Sequence, residues 1–354
     1  MPLEMLPYTA DRTPAVQAFN ARLEAYGIPA DQRFPETPDP GWMPGMELFL
    51  ALDDGVVRGG YILRRQIFSV SGETVHAAHY RLPLSEGLID RRYAMLGLRM
   101  VRDALVRAPR LYCMGMGGED KPLPQMLKRL GWRMSAVPFH FKVIHPARFL
   151  RNIRVLRTSA VRRLALDIAA LTGAAWLGMK AVGMARKLPA QTVDVALGFA
   201  GWADDIWQQS RGAYALIAMR DARTLDELYP VNDPRFLRVR TRDGWALLLD
   251  TAMQDHKQFG GMRVGTMVDC LAAPASASSV VRAATSLLEQ RGVDLIVANQ
   301  SHAAWSRALL DAGFRAGPSN YLLALSPEFA KAAGDAAPDQ FHFNRGDGDG
   351  PIHL

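Results

Sequence analysis

Apolar and polar positions along the chain predict two successive blocks with one order of elements. In the first block, the run ELFLALDDGVVRGGYILRRQIFSVSGETVHAAHYRLPL (47–84) reads as strands, with Asp53-Asp54-Gly55 and Ser71-Gly72-Glu73 as tight turns. AMLGLRMVRDALVRA (94–108) predicts a helix, with Met95, Leu98, Val101 and Leu105 spaced to share an inner face. A strand (RLYCMGM), a second helix (LPQMLKRL), a Gly131-Trp132 stop and a last strand (FHFKVIH) complete the block. The second block repeats the plan. Strands FLRVR, WALLLDTA and GTMVDCLAA precede the helix ASSVVRAATSLLEQRG, the strand VDLIVANQ, the helix HAAWSRALLDAG and the strand NYLLALS. Gly-aromatic-Arg recurs at 131–133 and 313–315, each time between a helix and a proline-containing loop.

Sheet followed by alternating helix and strand predicts a mixed α/β architecture, and a repeat of this length is a duplicated domain, not a solenoid. The expected division is 1–147, a junction over 148–194, a second domain over 195–330 and a flexible tail over 331–354. A length of 354 residues suits two domains.

Charge alters the picture at the junction. The chain carries a net +7, and Arg148, Arg151, Arg154, Arg157, Arg162 and Arg163 follow one another with no acid among them. Such a run faces solvent or holds an anionic partner: a membrane surface, a nucleotide or a nucleic acid. The apolar stretch after it is interrupted by Asp167 and Lys180. It is too short to span a bilayer, and a helix lodged between domains or lying on a membrane fits better. Cys113 and Cys270 sit singly in apolar runs, as filler in a reducing compartment would. The N-terminus shows no secretion signal. The expected location is the cytoplasm, with the inner face of a membrane as a peripheral site.

SRALLDAGFR and QMLKRLGWR, in this order of elements, resemble the GCN5-related N-acetyltransferase superfamily in tandem form. The plan is also similar to the FemABX-like aminoacyl transferases and to acyltransferases of envelope polysaccharide pathways. The resemblance covers roughly 5–147 and 195–329. It implies two acyl-CoA N-acyltransferase-like α/β domains, with acetyl-CoA or another acyl-CoA as the co-substrate. The family binds the coenzyme A pyrophosphate with a loop of small residues at a helix start, where backbone N–H groups and the helix dipole favour an anion. In the first copy Arg91-Arg92-Tyr93-Ala94 keeps the Arg-x-x-small spacing with Gly97 displaced, and those five residues are the expected cofactor contacts. In the second, Ala275, Ser276, Ala277 and Ser278 are small but neutral, and Ser276 and Ser278 also suit helix capping. The family's tyrosine acid, four residues before the Gly-aromatic pair, is replaced by Leu127 and Leu309.

The candidate catalytic residues are His79 and Glu86. His76 and His79 fall on opposite faces of one strand, so at most one meets a cleft. Asp255, His256 and Lys257 mark either a substrate loop or an exposed hairpin. No P-loop, His-Glu-x-x-His or Gly-x-Ser-x-Gly is present, and no metal is expected. The expected function is transfer of an acyl group from acyl-CoA to a small-molecule or glycan amine, such as an amino sugar. Two alternatives stand beside it. One is a transferase using charged tRNA. The other is a non-catalytic fold binding a partner protein or a nucleotide, such as a cyclic dinucleotide, through Arg148, Arg151, Arg154 and Arg157.

Overall fold

The computed structural model describes residues 3–38, 45–154 and 193–348. In chain order the strands are β1 (Glu4–Pro7), β2 (Met46–Asp53), β3 (Val56–Val70), β4 (Glu73–Ser85), β5 (Leu111–Gly115), β6 (Arg133–Ala136) and β7 (Phe139–Val143). The second part adds β8 (Asp194–Ala196), β9 (Leu216–Ala218), β10 (Leu237–Arg240), β11 (Gly244–Ala252), β12 (Arg263–Ala272) and β13 (Leu295–Asn299). It ends with β14 (Arg315–Gly317), β15 (Leu322–Leu325) and β16 (Phe341–His342).

The chain forms two compact units, each with a mixed sheet. The first comprises Met1–Ser135 and Leu322–Asp335; the second runs over Ala136–Tyr321 and resumes at Ala336. The first sheet has the order β1-β2-β3-β4-β5-β15-β6. The second reads β8-β10-β11-β12-β13-β7-β14 from its opposite edge, the same plan strand for strand. The sixth place in each is taken by a strand from the other part of the chain. β7 follows directly on β6 yet stands beside β13, with Phe141 facing Val297. β15 lies antiparallel to β5, with Ala324 facing Cys113. The contiguous division at 147 and 195 is thereby corrected: the segments read as the closing strand of each domain are exchanged.

Packing explains why each sheet is covered. In the first unit, helix Leu96–Arg107 buries Leu96, Met100, Val101 and Ala104 against Tyr61, Tyr80 and Leu111. This differs from the expected face. Leu98 and Leu105 are only half-buried, and Met95, which stands at the helix cap, is exposed. Helix Thr13–Ala25 buries Val16, Phe19 and Leu23 on the same unit's Leu48, Leu50 and Ile62. In the second unit, helices Ala277–Gln290 and Ala303–Asp311 bring Val281, Leu288, Trp305 and Leu309 onto Leu247 and Ile296. Full burial of such side chains contributes roughly 1.5–3 kcal/mol each.

The repeated Gly-aromatic passage is one helix ending used twice. Gly131 and Gly313 have φ of 79° and 89°, which suits glycine. Gly131 N–H donates to Lys128 and Trp132 N–H to Leu127; Gly313 donates to Leu310 and Phe314 to Leu309. These are Schellman caps, in which the residue after the glycine also packs on the residue five positions back. Trp132 and Leu127 share one core, Phe314 and Leu309 the other. The leucines at the family's tyrosine position are thus the apolar half of the cap.

The tail is ordered at least to Gly348, with Phe341, Phe343, Asn344 and Asp347 all buried. Beyond helix Pro146–Asn152, residues 155–192 lie outside the described residues, and half of the arginine run (Arg157, Arg162 and Arg163) falls there. Of its described members, Arg148 reaches Asp294 at 3.4 Å and Arg154 bonds Asp255. Among the described residues, no helix is long and apolar enough to cross a membrane, and no cluster suits a metal ion.

Ser326 fastens β15 to β5. Its hydroxyl accepts from Leu111 N–H and donates to Pro109 carbonyl, both at 2.9 Å, and its own N–H donates to Leu111 carbonyl. Ser326→Ala strands a buried donor and acceptor and should cost about 1–3 kcal/mol in denaturant unfolding. A loss within a few tenths of zero would contradict this fastening.

Candidate functional site

Both sheets open between their fourth and fifth strands, and the cause is an extra residue. Gly60 faces Leu84 and Ile62 faces Arg81, so β4 holds one more residue than β3 over that interval, with Leu82 at φ 42°. On β12, Leu247 faces Asp269 and Leu248 faces Met267, which leaves Val268 as the surplus. A bulge bends the strand that carries it. The parallel pairing of β4 with β5 covers only Ala78–Leu111 and His79–Tyr112, and that of β12 with β13 ends at Met267–Ala298. Beyond those pairs the strands part.

In the first unit His79 stands at the apex of the opening. It is buried and its ring stacks on Tyr112 at 4.5 Å with 9° between the planes. Its Nδ1 has no hydrogen-bond partner among the described residues. Burial, then the charges of Arg81 and Arg64, hold its pKa well below the usual histidine range, so the ring is neutral at neutral pH. Arg64 donates to Tyr112 Oη at 3.3 Å and to Gln66 Oε1 at 3.2 Å. His76 is exposed, as the alternation of the strand requires.

The loop after β4 is held by ion pairs. Glu86 is buried, and its two oxygens accept from Arg22 Nε at 2.7 Å and Arg58 NH1 at 2.9 Å. Both Glu86 oxygens are thus taken up by guanidiniums, and the carboxylate braces the loop. Arg58 also lies over the ring of Tyr93, centroid 5.0 Å away, and Tyr93 Oη donates to Asp53 at 2.8 Å. Arg92 is turned back on Asp90, with bonds of 2.8 and 2.6 Å. Arg91 and Ala94 are exposed. Helix 96–107 starts after Met95 with no side chain capping it, and Gly97 is in its first turn. Of the five expected contact residues, Arg91 and the uncapped turn containing Gly97 remain available to an anion, while Arg92 and Tyr93 have internal partners.

The second opening is filled by the chain itself. Asn344 bridges to Gln300, next after β13, and its side chain donates to Asp269 Oδ1 on β12 at 2.7 Å. Ser301 N–H donates to Phe343 carbonyl, and β16 lies parallel to β9. Arg220 clamps the arrangement with Asp269 at 2.8 Å and Asp347 at 2.7 Å, and Tyr229 adds a bond to Asp269 at 2.9 Å. Burial works against the Arg220 charge, but the two carboxylates hold its pKa above the ordinary value. Burial and then the neighbouring Asp269 push the Asp347 carboxyl up, against the pull of Arg220. Gly346 lies so close to Asp269 and the Tyr229 hydroxyl that a side chain would collide with them. Ser276 stands at the cap of helix 277–290 but bonds no backbone N–H through its side chain, so the capping expected of it is absent. The 255–257 segment is the tip of the β11–β12 hairpin, closed by His256 and Gly260. The Arg220–Asp269–Asp347 cluster was missed in the sequence because its members are far apart, and no local pattern marks them.

No family model and no curated protein matches this chain in sequence. Solved structures do match. N-myristoyltransferase from Saccharomyces cerevisiae with bound myristoyl-CoA aligns over 92% of this chain and 84% of its own, at TM-score 0.54 and 10% identity. A conserved Enterococcus faecalis V583 protein, a "probable N-acyltransferase", aligns over 92% and 72%, at 0.51 and 9%. The likeness is one of fold. The chain has a two-sheet mixed α/β fold like that of N-myristoyltransferase.

Burial of histidines has a measurable consequence. His79, His140, His256, His302 and His342 all have pKa values lowered, each first by burial, and His79 and His342 are lowered far. An unfolded chain takes up protons near pH 6.5 that the folded protein refuses. Stability is therefore full above that value and falls as the pH drops toward the folded pKa values. His79 and His342 should each remove about 1 kcal/mol between pH 6.5 and 5.5. Urea unfolding at pH 7.5 and 5.5 measures this, and His79→Gln should shrink the difference. Equal or greater stability at pH 5.5 would exclude it.

Proposed function

We propose that the protein is an acyl-CoA-dependent N-acyltransferase with one working site, in the first unit. The fold likeness supports the reaction class. The observation that carries the choice of unit is the filling of the β12–β13 opening by residues 341–347, whereas the β4–β5 opening presents a neutral imidazole at its apex. The co-substrate is an acyl-CoA, whose pyrophosphate meets Arg91 and the uncapped N–H groups at the start of helix 96–107. The acceptor is an amine, with an amino sugar as the preferred class by analogy of fold.

The amine nitrogen attacks the thioester carbonyl, the carbon–sulfur bond breaks, and the coenzyme leaves as a thiolate. His79 receives the proton lost by the amine and returns it to the sulfur, so one group serves as base and then acid. This fits the leucine at 127, which cannot donate. Backbone N–H groups of β4 beyond the bulge polarise the carbonyl.

Calorimetric titration with acetyl-CoA and a longer acyl-CoA tests the reading. One site per chain is expected, and Arg91→Ala should weaken it about tenfold, the effect of losing one charge-assisted bond of roughly 1.5 kcal/mol. The double change Ser276→Ala and Ser278→Ala should leave binding as it was. His79→Gln should bind normally but lower kcat about a hundredfold or more. Binding that depends on the serines and not on Arg91 would move the site to the second unit. Folded protein that binds no acyl-CoA would leave the non-catalytic reading.

A further inference from the structure

The face of helix 96–107 opposite its buried residues is a single stripe: Met95, Arg99, Arg102 and Val106 lie at i, i+4, i+7 and i+11. Apolar side chains stand at its two ends and guanidiniums between them. Val106 is 84% exposed and Met95 60%. Isolated exposed apolar residues are ordinary, but these have company. Leu88 and Ile89, 52% and 38% exposed, come from the turn that packs on this helix.

The charges on this stretch are one-sided. Its acids are Glu86, Asp90 and Asp103, and each is already bonded to arginine: Glu86 to Arg22 and Arg58, Asp90 to Arg92, Asp103 to Arg107. Arg99 and Arg102 pair with no carboxylate among the described residues and stand exposed. Here the unmatched cations are flanked by apolar side chains that nothing on their own unit covers.

We infer that this face docks on an anionic lipid bilayer. Leu88, Ile89, Met95 and Val106 enter the boundary between headgroups and acyl chains, while Arg99 and Arg102 meet the lipid phosphates and carboxylates. The long arginine stems lie along the apolar surface with their heads at the charged layer. A nucleic acid would satisfy the guanidiniums but leave four apolar side chains in water, and the stripe has no aromatic ring on which a base could stack. A bilayer takes both halves at once. The helix that bears this face is packed on its own sheet by Leu96, Met100, Val101 and Ala104, so the attachment it offers is to the surface. It does not rest on the acyltransferase reading, since neither His79 nor Arg91 takes part.

Co-sedimentation of the full chain with phosphatidylcholine vesicles, with and without phosphatidylserine, tests it. Binding is expected only with phosphatidylserine and should fall with added salt. Met95→Asp with Val106→Asp should weaken it roughly tenfold or more, and so should Arg99→Glu with Arg102→Glu. Arg157→Glu with Arg162→Glu, in the junction, should leave it unchanged. All these positions are read against circular dichroism spectra that match the unaltered protein. Binding that survives both helix-face variants, or that is lost only in the junction variant, overturns the proposal. So does equal binding to neutral vesicles, or a folded protein that ignores phosphatidylserine vesicles. An oligonucleotide bound through Arg99 and Arg102 without any vesicle binding would assign the face to nucleic acid instead.

Discussion

One surplus residue in a strand decides what the rest of each sheet can do. Parallel pairing needs the carbonyls and N–H groups of two strands in step, and a bulge puts them out of step. At Leu82-Pro83 in the first sheet and at Val268 in the second, the fourth strand turns away from the fifth. The gap exposes backbone groups that must be satisfied by something. In the second sheet the chain supplies its own closing segment, with Asn344 between Asp269 and Gln300. In the first, His79 and Tyr112 mark the apex, and the loop beyond is braced by Glu86 between two arginines. Two copies of one fold have thereby reached different ends from the same local irregularity.

Ion pairs then determine which residues are available for chemistry. Glu86, Arg92 and Tyr93 looked like site residues because of their position in the chain. Their side chains are committed to Arg22 and Arg58, to Asp90, and to Asp53. They fix the shape of the loop and leave Arg91 as the outward charge. In the second unit, the buried Arg220 is held because Asp269 and Asp347 both pair with it; removing Arg220 would leave two buried carboxylates stranded, at a cost of about 3–5 kcal/mol.

Much of the fold was legible in the sequence. The turns at 53–55 and 71–73 carry positive φ at Asp54, Gly55, Ser71 and Gly72, as their residue types announced. The Gly131 and Gly313 stops mean what they seemed to mean, because a left-handed helix ending is a local requirement. The exchange of β7 and β15 could not be read. Phe139–Val143 and Leu322–Leu325 each state a need for neighbours on two sides, and nothing in their composition names which strands those are. The same holds for Met95. Its spacing fits an inner face, but only the tilt of the helix on its sheet shows that Leu96 and Met100 take that place. The fate of the tail was hidden too, since the residues that bind Asn344 and Asp347 come from strands and loops far upstream.

The exchanged strands also set a timetable for synthesis. β5 is complete when residue 115 has been made, but the strand that covers its free edge ends at residue 325. At about 5–20 residues per second the ribosome needs roughly 10–40 s to cross that interval. Through it the nascent chain carries an unpaired apolar edge, Leu-Tyr-Cys-Met-Gly, beside a sheet otherwise ready to close. Such an edge is what holdase chaperones recognise and what neighbouring nascent chains stick to. The first unit therefore cannot close until residue 325 has been made.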